Sequence, residues 1–221
     1  MSTCVEQILN DTPLSPIIAG GKAHNYRQGV ICMEWCERFK EFRDRNRCVI
    51  YFPNLHEGED AEAYGIFLSL MRVKMGIMVL APDREERYEP VYRDALKYHL
   101  QTIRHSRLFT SFVPIKTRVY FVETAELCDA FYGCVDFCVP GGTLIGGAVD
   151  LAKAIADGCP LILGPKMPDN AVRQGLLAAG AAVWAQDNAE IVDLAKAWLN
   201  DPAAARAAAE KAKVWWGQHG A

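Results

Sequence analysis

No window of about 18 uninterrupted apolar residues occurs in the 221-residue sequence. The opening residues, MSTCVEQILNDTP, offer neither the basic nor the apolar region of a signal peptide. Both absences predict a cytoplasmic chain with no transmembrane segment. An excess of positive charge is missing as well: the formal net charge is -3, which argues against a nucleic-acid partner held by bulk electrostatics. Eight cysteines are present, but no CxxC pair. Cys32 and Cys36, like Cys134 and Cys138, stand four apart, and Cys4, Cys48, Cys128 and Cys159 are scattered, most of them in apolar runs. This spacing reads as reduced core residues, with zinc as the other reading. There is no internal repeat and no low-complexity linker.

What is present suffices for a full core, since 51% of the residues are hydrophobic and 23% charged. Short apolar runs alternate with helical patterns almost throughout, which predicts a doubly wound, mostly parallel α/β sheet with helices on both faces. Pro16-Ile17-Ile18-Ala19 is a candidate first strand, followed by the turn Gly20-Gly21-Lys22. Ile31, Trp35, Phe39 and Phe42 recur at helical spacing over 30–45. A strand over 47–52, a helix over 61–71 and an all-apolar strand over 76–80 come next. A long helix is expected over 90–105, an ambiguous stretch over 108–116, a strand over 118–122, and a helix opened by Thr124 as N-cap. The last third predicts a helix over 171–179 stopped by Gly180, a short strand over 181–184 and a helix over 188–199. Asp201-Pro202 then starts a final alanine-rich helix, which Trp215 and Trp216 anchor to the body.

The stretch 132–165 organises the rest. An apolar run (135–139) leads into Pro140-Gly141-Gly142-Thr143, a second glycine pair (Gly146, Gly147), a helical pattern and another apolar run (161–163). This is a βαβ unit with a glycine-rich loop. A helix beginning near Gly147 would aim its positive end at the loop and suit a phosphate or other anion. The spacing is neither the dinucleotide fingerprint nor a Walker loop, so a plain structural turn is the second reading. Two charged loops stand in equivalent positions after earlier strands. The first, Leu55-His56-Glu57-Gly58-Glu59-Asp60, offers His56 to a phosphate or sugar and Glu57 or Glu59 to hydroxyls. The second, 81–88, offers Arg84 or Arg87 to a phosphate. Solvated helix-entry charges are the other reading of both loops, with the arginines of the second paired to Glu85, Glu86 and Glu89.

His56-Glu57-Gly58-Glu59, Ala81-Pro82-Asp83-Arg84-Glu85-Glu86-Arg87 and Gly141-Gly142-Thr143-Leu144, in that order, resemble the C-terminal half of a 3-deoxy-D-manno-octulosonic acid (Kdo) transferase. Thr124-Ala125-Glu126-Leu127, 131–136 and 158–165 add to the likeness, which runs from about Pro16 to the end. The resemblance implies a GT-B-type donor-binding domain over 16–221, preceded by an extension over 1–15. It implies a nucleotide sugar such as CMP-Kdo as substrate, with no cofactor and no metal, in lipopolysaccharide or related glycan synthesis. His56, Glu57, Glu59, Pro82, Arg84, Thr124, Glu126, Gly141, Gly142, Thr143, Gly147, Asp150 and Lys153 then fall at donor-binding positions, Arg84 and the Gly141-Gly142-Thr143 loop on phosphate, His56 and Glu126 on sugar or nucleotide. No catalytic residue is assigned. The family's acceptor-binding half has no counterpart, which implies a separate acceptor-binding subunit or a homo-oligomer, and a peripheral place at the inner membrane face through that partner. The family's His-Asn pair and later glutamate are replaced here, with Asp150 near the asparagine position and Lys153 near the glutamate position. A catalytically inactive binding or scaffolding module is therefore the alternative.

Overall fold

The computed structural model describes residues 36–108, 110 and 112–220. The expected strand at 16–19, the turn at 20–22 and the first six residues of the helix expected over 30–45 lie outside the described residues. Of the part that is described, 36–38 are helical and, after a turn at Phe39, α1 (Lys40–Asp44) buries Phe42.

The strands are short and all parallel. β1 (Cys48–Leu55) is followed by α2 (Glu59–Met71), β2 (Gly76–Pro82), a 3₁₀ turn (Glu85–Arg87) and α3 (Tyr88–Lys97). β3 (Thr102–Arg104), β4 (Val119–Phe121), a 3₁₀ segment (Ala125–Cys134) and β5 (Phe137–Cys138) come next. α4 (Ala152–Ala156), β6 (Ile162–Leu163), α5 (Ala171–Ala178), β7 (Val183–Trp184), α6 (Asn188–Asn200) and α7 (Pro202–His219) complete the order. The main sheet runs β3-β4-β2-β1-β5, and β6-β7 form a second pair. A parallel bridge between Cys138 and Leu161 joins that pair to β5. Helices cover both faces because side chains alternate along each strand. Val49 and Tyr51 pack with Phe39, Phe42 and Ile155, whereas Ile50 and Phe52 pack with Tyr64, Phe67, Leu70 and Trp198.

Three local readings are corrected. The long helix stops at Lys97 instead of His105: His99 takes a left-handed φ of 56° and the Leu100 amide reaches back to the Ala95 carbonyl, after which Thr102–Arg104 pairs with β4 as an edge strand. The chain after Gly147 is not helical until Ala152. The 3₁₀ segment is entered at Thr124, but the Thr124 side chain makes no capping bond. By contrast, Asp201 caps α7 by accepting from the Ala204 amide at 3.1 Å, and Trp215 packs so closely on Gly175 that a Cβ there would overlap its ring.

The cysteines divide. Cys48, Cys128, Cys138 and Cys159 are free and buried. Burial pushes the Cys48 thiol up to about 12 and the Cys128 thiol up to about 11, which keeps both protonated. Cys36 and Cys134, however, are joined as a disulfide, a correction to the reduced reading. Their separation of 98 residues hides the pairing from any local spacing rule; the fold brings the start of the first helical stretch against the 3₁₀ segment. Cys4 and Cys32 lie outside the described residues.

Candidate functional site

The order of the sheet places the site. On one side of β1 the sheet extends through β2, β4 and β3, and only after β4 does the chain cross to the other side of β1, where β5 is followed by β6 and β7. The reversal leaves a crevice beyond the carboxyl ends of β1 and β5, the position where open α/β sheets hold ligands. Ile50 faces Phe137 and Tyr51 faces Cys138 across that junction. The loops leaving the two strands therefore meet at one point.

They meet so closely that one position admits only glycine. A Cβ on Gly141 would overlap the Asn54 carbonyl, and the Gly141 amide donates to the Pro53 carbonyl at 2.8 Å. Next to this contact lies a cavity of about 260 Å³ lined by Asn54, His56, Tyr132, Gly141, Val149 and Asp150 among others. Burial pushes the Tyr132 phenol well above its ordinary range, so the residue contributes to the wall in its neutral form. Between the loops after β1 and β2 is a shallower hollow of about 530 Å³, lined by Glu57, Gly58, Asp60, Arg84, Glu86 and Arg87 with two apolar neighbours.

Glu59 does something the sequence does not announce. Its side chain is 0% exposed, and its two carboxylate oxygens collect four backbone amides. Oε2 accepts from His56 and Gly142 at 2.8 and 2.7 Å, and Oε1 accepts from Leu144 and Ile145 at 2.8 and 3.3 Å. A glycine-rich loop does present its N–H groups to an anion here. That anion is the chain's own carboxylate, supplied from the start of α2.

The other candidates separate into three sets. His56, Gly141, Gly147 and Asp150 gather at the 260 Å³ cavity: His56 is half-buried, with its ring lying against Gly147, and Asp150 accepts from the Ala152 amide at 2.9 Å. That bond starts α4 five residues after Gly147, which is why no long helix points at the loop. Glu57 and Arg84 gather at the second hollow, 4.0 Å apart, with Arg84 also 3.3 Å from Asp83 and 59% exposed. Pro82 is buried at the end of β2, opposite Leu55. The remaining candidates stand apart from both hollows. Thr143 is fully buried and donates to the Pro140 carbonyl at 2.6 Å. Thr124 is half-buried and Glu126 exposed on the 3₁₀ segment, and Lys153 pairs with Asp157 at 2.6 Å. Arg87 pairs with Asp60 and Asp83 rather than with the glutamates beside it. Asn54 and Val149 were not singled out from the sequence. Asn54 carried a signal, since asparagine tolerates the left-handed φ of 51° found there.

Gly147 has a φ of 154°, and a Cβ there would strike His56. Gly147→Ala is expected to cost about 1–2 kcal/mol in urea unfolding and to shift the His56 ring resonances. An unchanged midpoint and unchanged His56 signals would count against this packing.

No family model matches the chain. A 3-deoxy-D-manno-octulosonic acid transferase of Bordetella pertussis is 29% identical over 180 residues, which is 78% of this chain and 42% of the relative. The chain thus spans about two-fifths of that protein's length. Among solved structures, the C-terminal CMP-Kdo binding domain of WaaA from Acinetobacter baumannii superposes with a TM-score of 0.75 at 19% identity, over 85% of this chain and 98% of that one. Anabaena Alr3699/HepE, solved in complex with UDP and glucose, superposes with a TM-score of 0.56 at 10% identity, over 84% of this chain and 48% of that one. The chain is similar in sequence to a Kdo transferase and carries the fold of the C-terminal domain of a GT-B glycosyltransferase.

Proposed function

We propose that the crevice between β1 and β5 binds a nucleotide sugar, CMP-Kdo or another, as the donor half of a glycosyltransferase. The observation that carries this is the meeting of the His56 and Gly141–Gly147 loops around one cavity at the reversal of the sheet. Its volume of about 260 Å³ is below the usual range for a whole ligand of this kind, so it takes one part of the nucleotide and the rest extends over the open loops. Asn54, His56, Asp150 and Tyr132 supply the few polar groups that fix orientation. Because Glu59 occupies the Gly142 amide and Pro53 the Gly141 amide, the glycines shape the crevice and the phosphate charge falls to Arg84. The exposed pairs of Arg84 with Glu57 and Asp83 are weak, so that guanidinium is free to exchange them for a phosphate. Glu57 sits at the same rim, and Pro82, Thr124, Glu126, Thr143 and Lys153 support or flank the loops.

Transfer also needs an acceptor hydroxyl and a base held in line with the donor. We assign these to a separate acceptor-binding chain, which would bring the protein to the inner membrane face. Among the described residues no helix is long and apolar enough to cross a membrane. Titration of the full chain with CMP, CMP-Kdo, UDP and UDP-sugars, followed by thermal shift and amide NMR, tests the reading. One of these ligands is expected to raise the melting temperature and to move the Gly141 and Gly147 signals. Flat responses to all of them would sink it in favour of the non-catalytic module.

A further inference from the structure

A third cavity, of about 280 Å³, lies at the opposite edge of the sheet, where the chain enters the strands. Its walls include Lys74 ahead of β2, Asp136 ahead of β5, Gly158 and Pro160 ahead of β6, Arg43 of α1, and Trp198, Pro202 and Arg206 from the two C-terminal helices. Five charged groups line it: Arg43, Lys74, Arg206, Asp136 and Asp157. Asp157 is already taken by Lys153 at 2.6 Å. Asp136 accepts from the Val49 amide at 2.8 Å, tying it to the amino end of β1. Burial raises the Asp136 carboxyl more than the surrounding cations Arg43, Lys74 and Arg206 lower it. Arg43 donates to the carbonyls of Cys36 and Cys134, with no carboxylate partner among the described residues. The Lys74 and Arg206 side chains have neither a hydrogen bond nor an ion pair among the described residues. Three cations therefore converge on a hollow in which one carboxylate at most opposes them.

We propose that this cavity is a second anion site, distinct from the nucleotide crevice, that takes a terminal phosphate monoester through Lys74, Arg206 and Arg43. A dianion matches the charge left uncompensated. The volume equals the liquid share of roughly nine waters at about 30 Å³ each, enough for a phosphate group and the first atoms of what it is attached to. Trp198 and Pro202 give that attached part an apolar wall. A soluble phosphate ester and the headgroup of a lipid share this chemistry.

The full chain is titrated with inorganic phosphate by amide NMR at constant ionic strength set with chloride. In parallel it is sedimented with phosphatidylcholine vesicles containing phosphatidic acid. Saturable shifts at Asp136 and Gly158 with free phosphate identify a soluble ester as the ligand source, whereas sedimentation without such shifts identifies a headgroup. The double variant Lys74→Gln/Arg206→Gln leaves no buried group unpaired, so its thermal unfolding without ligand is expected to match the parent. In whichever arm the parent binds, the double variant should bind about tenfold or more weakly. Absence of saturable binding in both arms overturns the proposal, and so does equal affinity of parent and double variant.

Discussion

Glu59→Ala lowers the stability of the protein by about 3–5 kcal/mol in urea unfolding, with loss of amide-exchange protection at Gly142, Leu144 and Ile145. The reason is asymmetry. A hydrogen bond contributes only about 1 kcal/mol net, but a buried donor left without a partner costs about 1–3 kcal/mol, and Glu59 serves two buried donors, Gly142 and Leu144, and two part-buried ones, His56 and Ile145. Alanine strands the Gly142 and Leu144 amides, for which only water entering through the loop can replace the carboxylate. Glu59→Gln separates charge from shape. Its oxygen still accepts from one pair of amides, yet its NH₂ meets the other pair donor to donor, so it is expected to lose about 2 kcal/mol. Either variant should also weaken nucleotide binding, because the loop that walls the cavity is held in place by these bonds. An alanine variant within about 1 kcal/mol of the parent would show that the carboxylate does not hold the loop.

Arg87→Ala is the second large effect, expected at about 3–5 kcal/mol. Arg87 sits between Asp60 at 2.6 Å and Asp83 at 2.8 Å, with side-chain exposures of 11, 13 and 21%. Its guanidinium also donates to the Leu55 carbonyl at the end of β1. Removing it leaves two poorly solvated carboxylates facing each other with no cation between them. Lysine should restore less than half of the loss, since a point charge cannot fork between two acids and a carbonyl. The triple variant Arg87→Met/Asp60→Asn/Asp83→Asn takes away the charge problem and should recover most of it. If alanine and lysine behaved alike at below about 1 kcal/mol, the cluster would be a surface pair of the ordinary weak kind.

Both residues show where the sequence was readable and where it was not. The order of strands and charged loops could be read along the chain, because apolar runs such as Ile77–Leu80 and the charged or glycine-rich stretches that follow them are local signals, although β1 and β2 run on through Pro53 and Pro82 to their ends. That order alone placed His56, Arg84 and Gly141 at the carboxyl edge. The partners chosen inside the site were not local. Glu59 meets Gly142 across 83 residues, Arg87 meets Asp60 across 27, and Cys36 meets Cys134 across 98. Periodicity carries no information at such distances. Hence the local sequence offers Arg87 a phosphate or its neighbouring glutamates, and Glu59 a ligand's hydroxyls or a place at a helix entry, and points to neither true partner. The helix expected from Gly147 failed for a smaller reason: Asp150 bonds the Ala152 amide and sets the start of α4 there. The same kind of local competition ended the helix before His105, where His99 turned left-handed.

The junction of β1 with β5 also bears on how the chain is made. Its contacts join Ile50 to Phe137 and Tyr51 to Cys138, so synthesis passes through a long interval in which β1 exists and its neighbour does not. During that interval β1 can pair with β2 on one side only. Its other edge, an apolar run from Cys48 to Phe52, is open to any extended segment that reaches it. The crevice cannot assemble until that edge is covered, and the nascent chain is most vulnerable to misassociation along the strand that later carries the ligand loop.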